Sequence, residues 1–205
     1  MGIIDSVKEA REKAAKRKFK QSIDLCIALR NVDLNKPENK INIDVHLPSG
    51  RGKEIKTCVI SDITPTEGLG VHTITKNQLN SLDKKSVKKL AKEYDYFLGE
   101  VSLMAAVGKI MGQVLGPRGK MPKPFPPKAN LAGMIQSAKT NVAVRVTKVP
   151  TIQVSVGHEE MKDEEIEENI KSILTAVEKK LPKGKHQMAN AYVKLTMGPA
   201  IKLKL

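Results

Sequence analysis

The sequence predicts a mixed fold, α+β and α/β, in which a discontinuous domain of split β-α-β type is interrupted by an inserted α/β domain. Three observations predict it. Segments 1–50 and 141–205 share one texture, alternating strands with an amphipathic helix. Segment 51–140 has another, short apolar runs between helical patterns, which suits a parallel sheet. The texture changes at Pro48-Ser49-Gly50-Arg51-Gly52 and again near Asn141. The expected boundaries are therefore 1–50 with 141–205 for one domain and 51–140 for the other. Two crossings through glycine-containing strand ends would let the domains hinge.

In chain order, residues 5–18 read as a helix that Asp5 or Ser6 can cap, with Val7, Ala10, Ala14 and Ala15 as a weak apolar stripe. Phe19 ends it, inside the cluster Lys16-Arg17-Lys18-Phe19-Lys20. The period then becomes two: Ile23, Leu25, Ile27 and Leu29 alternate with Asp24, Cys26, Ala28 and Arg30. A turn is expected over Asn35–Asn39, and Ile41, Ile43, Val45 and Leu47 form a second alternating strand. The two strands suggest an antiparallel pair.

In the middle segment, residues 55–60 are a short apolar strand and residues 82–93 a Lys-rich helix with Leu82, Val87, Leu90 and Ala91 inward. Tyr94–Leu98 is a compact strand. Val101–Val114 is a mostly apolar helix whose Ala105, Ala106, Gly108 and Gly112 suit close packing on a sheet. Residues 128–139 form another short helix. Alternation returns with Val142, Val144 and Val146, then Ile152, Val154 and Val156 after Pro150. Residues 160–181 carry the clearest helical stripe, Ile166, Ile170, Ile173, Leu174, Val177 and Leu181. Acids crowd its start and Lys179 and Lys180 its end, both in favour of the helix dipole. Pro182 and Gly184 stop it, and a last strand runs from Ala191 to Met197.

Composition narrows the function. Lys and Arg number 36 against 22 Asp and Glu, a net charge of +14, and 40% of residues are hydrophobic. A packed core is therefore available, and a polyanion, most simply nucleic acid, is the expected partner. With three Phe, three Tyr and no Trp, a platform that stacks single-stranded bases is disfavoured. Cys26 and Cys58 stand apart from any metal-ligand spacing, so no metal is expected. No apolar run is long enough to span a membrane. The middle segment carries a net +8 and each flanking segment +3. The acidic start of the last long helix would repel phosphate, so a nucleic-acid face on that domain falls to the Lys16–Lys20 cluster and the strand ends.

The stretch Gly112–Lys128 holds three Gly, five Pro, four positive charges and no acid. Its glycines permit close backbone approach to a phosphate and its prolines stiffen an extended loop. It is not a P-loop, because Val114 stands where the first glycine belongs and Met121 where Ser or Thr is needed. Gly108, Gly112 and Gly116 do not match a dinucleotide fingerprint. Thr196-Met197-Gly198-Pro199 offers a hydroxyl, an open backbone and a rigid turn, a corner able to follow RNA sugars. The four His residues are scattered and no catalytic cluster is expected. An enzyme binding a nucleotide in the middle domain is the rival reading, and a non-ribosomal tRNA-binding factor a weaker third.

Together, LGPRGKMPKP at 115–124, KFKQSID at 18–24 and TMGP at 196–199 make the whole chain resemble the family of the large-subunit ribosomal protein of the mobile E-site stalk, archaeal type. The resemblance implies a discontinuous rRNA-binding domain with an inserted Rossmann-like three-layer α/β domain. It also implies a cytoplasmic ribosomal protein with no catalysis and no cofactor, a monomer when free. Its implied partners are large-subunit rRNA at the stalk, the deacylated tRNA leaving the E site, and the leader of its own mRNA, whose translation it represses. Family RNA contacts fall on Lys18, Phe19, Ser22, Asp24, Thr196, Met197 and Gly198, and on Asn190, where the family commonly has Ser. Gly116, Arg118, Gly119, Lys120 and Lys123 are expected in a tRNA-side or interdomain loop.

Overall fold

The computed structural model describes residues 2–33, 41–52, 54–62, 70–127, 130–146 and 149–203. The turn expected over Asn35–Asn39 lies outside these. The chain divides into two compact units, Met1–Lys53 with Lys139–Leu205, and Glu54–Ala138.

In the first unit, helix α1 (Ile3–Glu12) precedes strand β1 (Ser22–Leu29). Strand β2 (Asn42–His46) leads out of the unit, and after the inserted unit β7 (Asn141–Arg145) leads back in. Strand β8 (Thr151–His158), helix α6 (Asp163–Lys180), β9 (Met188–Leu195) and β10 (Ile201–Leu203) complete it. The main sheet has the order β10-β9-β1-β8, with every neighbour antiparallel. Strands β8 and β9 therefore run parallel to each other, joined through α6, with β1 between them: a split β-α-β unit. Alternation puts Ile23, Leu25, Ile27 and Leu29 in the core, where they meet Ile152 and Val154 of β8 and Val193 and Leu195 of β9. Ile166, Ile170, Ile173 and Val177 of α6 and Val7 and Ala10 of α1 belong to the same core.

Several expectations change. β1 does not pair with β2. A central strand with one apolar face is stabilised by a partner on each edge, which β8 and β9 supply; β2 pairs antiparallel with β7 instead, Ile43 opposite Val144 and Val45 opposite Val142. Helix α1 stops at Glu12, not residue 18, because its buried stripe runs out after Ala10 and Lys16, Arg17, Lys18 and Lys20 are exposed like charges. Its N-cap is Gly2, whose N–H donates to the Asp5 carboxylate at 2.7 Å. Strand β9 starts at Met188 and ends at Leu195, where the Gly198 N–H closes a turn onto the Leu195 carbonyl at 2.9 Å. The three-residue β10 is too short to announce itself by period.

The second unit contains β3 (Thr57–Ile60), β4 (His72–Ile74), α2 (Lys76–Asn80), α3 (Lys84–Glu93), β5 (Tyr96–Glu100), α4 (Met104–Leu115), β6 (Lys123–Phe125) and α5 (Leu131–Thr140), the last running two residues into the first unit. Its sheet is parallel throughout, in the order β4-β3-β5-β6. Cys58, Ile60 and Phe97 pack with Val87 and Ala91 of α3 and with Val107 and Met111 of α4. Val59, Leu98 and Phe125 pack on the opposite side with Leu131 and Ile135 of α5. Both faces are covered, which makes three layers and explains why these strands read as continuous apolar runs. β4 and α2 were not anticipated. Helix α4 starts at Met104 after a 3-10 turn, and of its small residues Ala106 packs against the core while Ala105 and Gly108 are exposed, and a Cβ on Gly108 or Gly112 would meet nothing within 4 Å.

Asn169 of α6 is fully buried and ties three segments together. Its amide donates to the carbonyls of Gly50 at 2.9 Å and Val156 at 2.8 Å, and its oxygen accepts the Ser49 N–H at 3.3 Å. Removing the side chain strands three backbone groups. Asn169→Ala is expected to lose about 2–3 kcal/mol of stability in urea unfolding with an unchanged m-value. A loss below about 0.5 kcal/mol would show that water replaces the side chain at no cost.

Candidate nucleic-acid interface

Pairing of β1 with β9 dictates the site. The register sets Ile23 opposite Leu195, so the chain beyond β9 emerges beside the start of β1. There the Ser22 N–H donates to Thr196 Oγ1 at 3.1 Å, and the Thr196 N–H donates to the Ser22 carbonyl at 3.0 Å. Gln21 makes the next link. Its side chain is buried, accepts the Met197 N–H at 3.2 Å and donates to the Ala15 carbonyl at 3.1 Å. The 15–21 connection and the 196–198 turn are thereby fastened side by side. Phe19 is 52% exposed and Met197 57% exposed, two apolar side chains left in water on the two segments that Gln21 joins. Both side chains are open to contact at the surface.

The basic cluster borders this corner. Lys16, Arg17, Lys18 and Lys20 are exposed. Lys20 donates to Glu160 at 2.8 Å, and this hydrogen bond and charge raise its pKa; the pair is open to water and contributes little to stability. A hollow of about 390 Å³ between the end of α1 and the corner is lined by Arg11, Lys16, Arg17, Gln21, Glu159 and Leu195. Arg11 is committed to the fold: Nη1 donates to the Glu159 carbonyl at 2.6 Å, and Nε faces Asp163 at 3.0 Å.

Asp24 projects from the face of β1 opposite the core, in a row with Lys194 on β9 and Ser155 on β8. The pairing of β1 with β8 is irregular at this point, where one residue of β8 is skipped. Such a bulge re-aims side chains beside a strand end. Burial raises the Asp24 pKa, while the Lys194 charge and a Ser155 hydrogen bond oppose it. Asn190 shares this face but lies opposite Ala28, four residues along β1 from Asp24 and roughly 13 Å away at strand rise. The structure thus gathers Ser22, Thr196, Met197 and Gly198 into one corner, with Lys18 and Phe19 on the adjoining connection, Asp24 next to it and Asn190 further off.

Gly198 is a packing position. A Cβ there would stand 3.2 Å from Ala14 Cβ and 3.3 Å from Leu195 Cβ, so a bulky substitution disturbs the connection that follows α1 as well as any surface contact. Gln21 stands inside the quoted KFKQSID motif, but an uncharged side chain off the strand period gave no signal of its own.

In the second unit, Gly116 closes α4, its N–H donating to the Gly112 carbonyl at 2.9 Å. Gly119 has φ +65°, a left-handed turn position that suits glycine. Lys120 is turned inward: its ammonium donates to the carbonyls of Ala91 at 3.1 Å and Tyr94 at 2.8 Å and lies 3.4 Å from Asp95, clamping the end of α3. Lys123 lies over the Tyr96 ring, 5.3 Å from its centre. Arg118 is exposed and has no ion pair among the described residues.

Open parallel sheets bind nucleotides where the strand order reverses, beyond the carboxyl ends, here between β3 and β5. That place holds the fully buried Glu100 carboxylate, which accepts the hydroxyls of Ser61 at 3.0 Å and Ser102 at 2.7 Å and the Asp62 N–H at 3.1 Å. A buried carboxylate would repel a phosphate there. Among the described residues no group of three or more His, Cys, Asp or Glu could hold a metal ion, and no helix is long and apolar enough to cross a membrane.

Fold and site define a mixed α/β protein built around a braced surface corner rather than a catalytic cleft. Residues 10–199 match the model of the Ribosomal protein L1p/L10e family, and the chain belongs to that family, one of ribosomal proteins and not of enzymes. It is 44% identical to the Large ribosomal subunit protein uL1 of Methanocaldococcus jannaschii, over 98% of this chain and 94% of that protein. The uL1 of Methanothermococcus thermolithotrophicus is also 44% identical, over 98% and 97%. That of Pyrococcus abyssi is 41% identical, over 98% and 95%.

The raised pKa of Asp24 has a consequence with a definite sign. A carboxylate whose folded pKa is raised stabilises the fold below its unfolded pKa and forfeits that stability as pH rises through the folded pKa. At pH 7 the ionised Asp24 is thus a stability cost. Asp24→Asn is expected to raise the urea midpoint of the free protein at pH 7, by an amount that shrinks as pH falls through the raised folded pKa and no longer changes below the ordinary value of 3.8. A lower midpoint at pH 7 would mean that the Lys194 and Ser155 contacts outweigh burial.

Proposed function

We propose that the chain is a structural constituent of the large ribosomal subunit that binds stalk rRNA through the corner formed by Lys18, Phe19, Ser22, Asp24, Thr196, Met197 and Gly198, with Asn190 at its edge. It works as a monomer when free. On this reading the protein assists release of deacylated tRNA from the E site, with the Gly116–Lys123 loop on the tRNA side. It also represses translation of its own mRNA through a leader that mimics the rRNA site. The single observation that carries the reading is the pairing of an exposed Phe19 and Met197 with a Thr196–Ser22 brace that holds polar backbone in fixed positions. Apolar surface and fixed hydroxyl and carboxylate acceptors suit the sugar edge of an RNA minor groove, where a carboxylate such as Asp24 accepts a 2′-hydroxyl. Support comes also from the uL1 proteins that the chain matches over almost its whole length.

A salt titration of the full chain with a stalk RNA fragment tests it. Few of the corner residues are charged, so the log–log slope is expected to equal about three to five phosphate contacts. Lys18→Ala should lower that slope by about one contact, while Thr196→Val should cost about 1–3 kcal/mol of binding at unchanged slope. A slope near ten contacts, or equal affinity for an unrelated RNA, would mean that the net positive charge alone accounts for binding.

A further inference from the structure

Helix α3 carries Lys84, Lys85, Lys88, Lys89 and Lys92, five lysines in ten residues, and all five are exposed. None joins a hydrogen bond or ion pair among the described residues. At about 100° per residue they fall within an arc of about 140° that excludes the buried Val87 and Ala91. The nearby acids, Asp83 and Glu93, project outside that arc. Two features make the arrangement unfavourable for the helix itself. Lys84, Lys88 and Lys92, and again Lys85 and Lys89, stand at i,i+4 spacing, where like charges repel. The first turn has two lysines and no acid, with only the Asp83 N-cap to offset positive charge at the positive end of the dipole. Helix α6 of the same chain has Asp163, Glu164 and Glu165 in its first turn where α3 has lysines, although both helices end on lysine. A face kept only for solubility would be satisfied by the α6 pattern. The α3 pattern is satisfied by an external polyanion.

We propose that this face of α3 is a second RNA-docking surface, which grips the phosphate backbone of a double-helical segment without reading its sequence. Three properties fit that occupant. The five lysines are spread along about 12 Å of helix, a length that a row of phosphates covers and a single anion does not. The face presents no aromatic ring and no exposed large apolar side chain to stack a base or seat an apolar partner. The helix is anchored beneath by Val87 and Ala91 and at its carboxyl end by Lys120, so the charges stand on a fixed support. The proposal stands on charge placement in the second unit and does not need the corner of the first.

The experiment uses the full chain and the variant with Lys84, Lys85, Lys88, Lys89 and Lys92 all changed to Gln. Each is titrated with salt against a loop-free RNA duplex of arbitrary sequence and against the stalk fragment. The variant is expected to lose at least about tenfold in duplex affinity at low salt, with the slope reduced by about three contacts and stalk-fragment affinity within about twofold. Its thermal midpoint should hold or rise, since self-repulsion is removed. In the wild-type chain, the duplex should protect Lys85, Lys88, Lys89 and Lys92 from amine acylation but not Lys171 or Lys179 of α6; this reading stands even where the variant does not fold. Unchanged duplex affinity in a folded variant, absence of protection, equal loss for both RNAs, or equal protection by a polyglutamate peptide of the same charge would each overturn the proposal.

Discussion

The structure depends on the pairing of β1 with strands on both of its edges. Among the described residues β1 is the strand of the first unit that bonds to both β8 and β9, so α6 has to cross over it to join them. That crossover forms the core, with Ile23, Leu25 and Ile27 beneath Ile166, Ile170 and Ile173. The same pairing delivers the end of β9 to the start of β1. The site is thus a direct outcome of sheet register: a shift by one residue would move Thr196 away from Ser22 and turn Leu195 outward.

Around that register the corner is braced in polar fashion. Gln21 is a buried amide with one bond to the connection from α1 and one to the turn after β9. Arg11 fastens α1 to the turn before α6, and Asn169 fastens α6 to the segment leaving the unit at Ser49 and Gly50. Such bonds make modest net contributions individually, but each strands buried groups when broken. They fix the spacing of backbone N–H groups and hydroxyls, which a surface that follows a sugar edge requires. A charged loop would not require it.

Much of this was legible in residue order. The split β-α-β unit followed from strict alternation at Ile23–Leu29 and Val142–Val156 and from the six-residue stripe of α6, where one periodicity dominates. The parallel sheet followed from apolar runs too short for helices. Pairing was not legible: β1 and β2 alternate alike, and only three-dimensional closure chooses β7 for β2. The three-residue β4 and β10 and the five-residue α2 are shorter than any period needs. At the site, the Lys16–Lys20 cluster and the Thr196-Met197-Gly198-Pro199 turn stood out in the residues themselves, whereas Phe19 and Asp24 were singled out by the family resemblance. Gln21 did not, because its importance comes from the two carbonyl and amide groups that it joins. Lys120 was legible only as a charge in a basic loop, and its bonds to the carbonyls that end α3 were not.

The central claim is that the corner recognises RNA by sugar and shape, with charge in a supporting role. The most direct measurement compares the affinity of the full chain for a stalk RNA fragment with that for the same sequence carrying 2′-deoxy sugars at the nucleotides that the bound chain shields from backbone cleavage, at one salt concentration. The account expects the deoxy form to bind at least about tenfold more weakly, with the salt slope unchanged. Equal affinity for the two would contradict it, because phosphates are the same in both and only the 2′-hydroxyls differ.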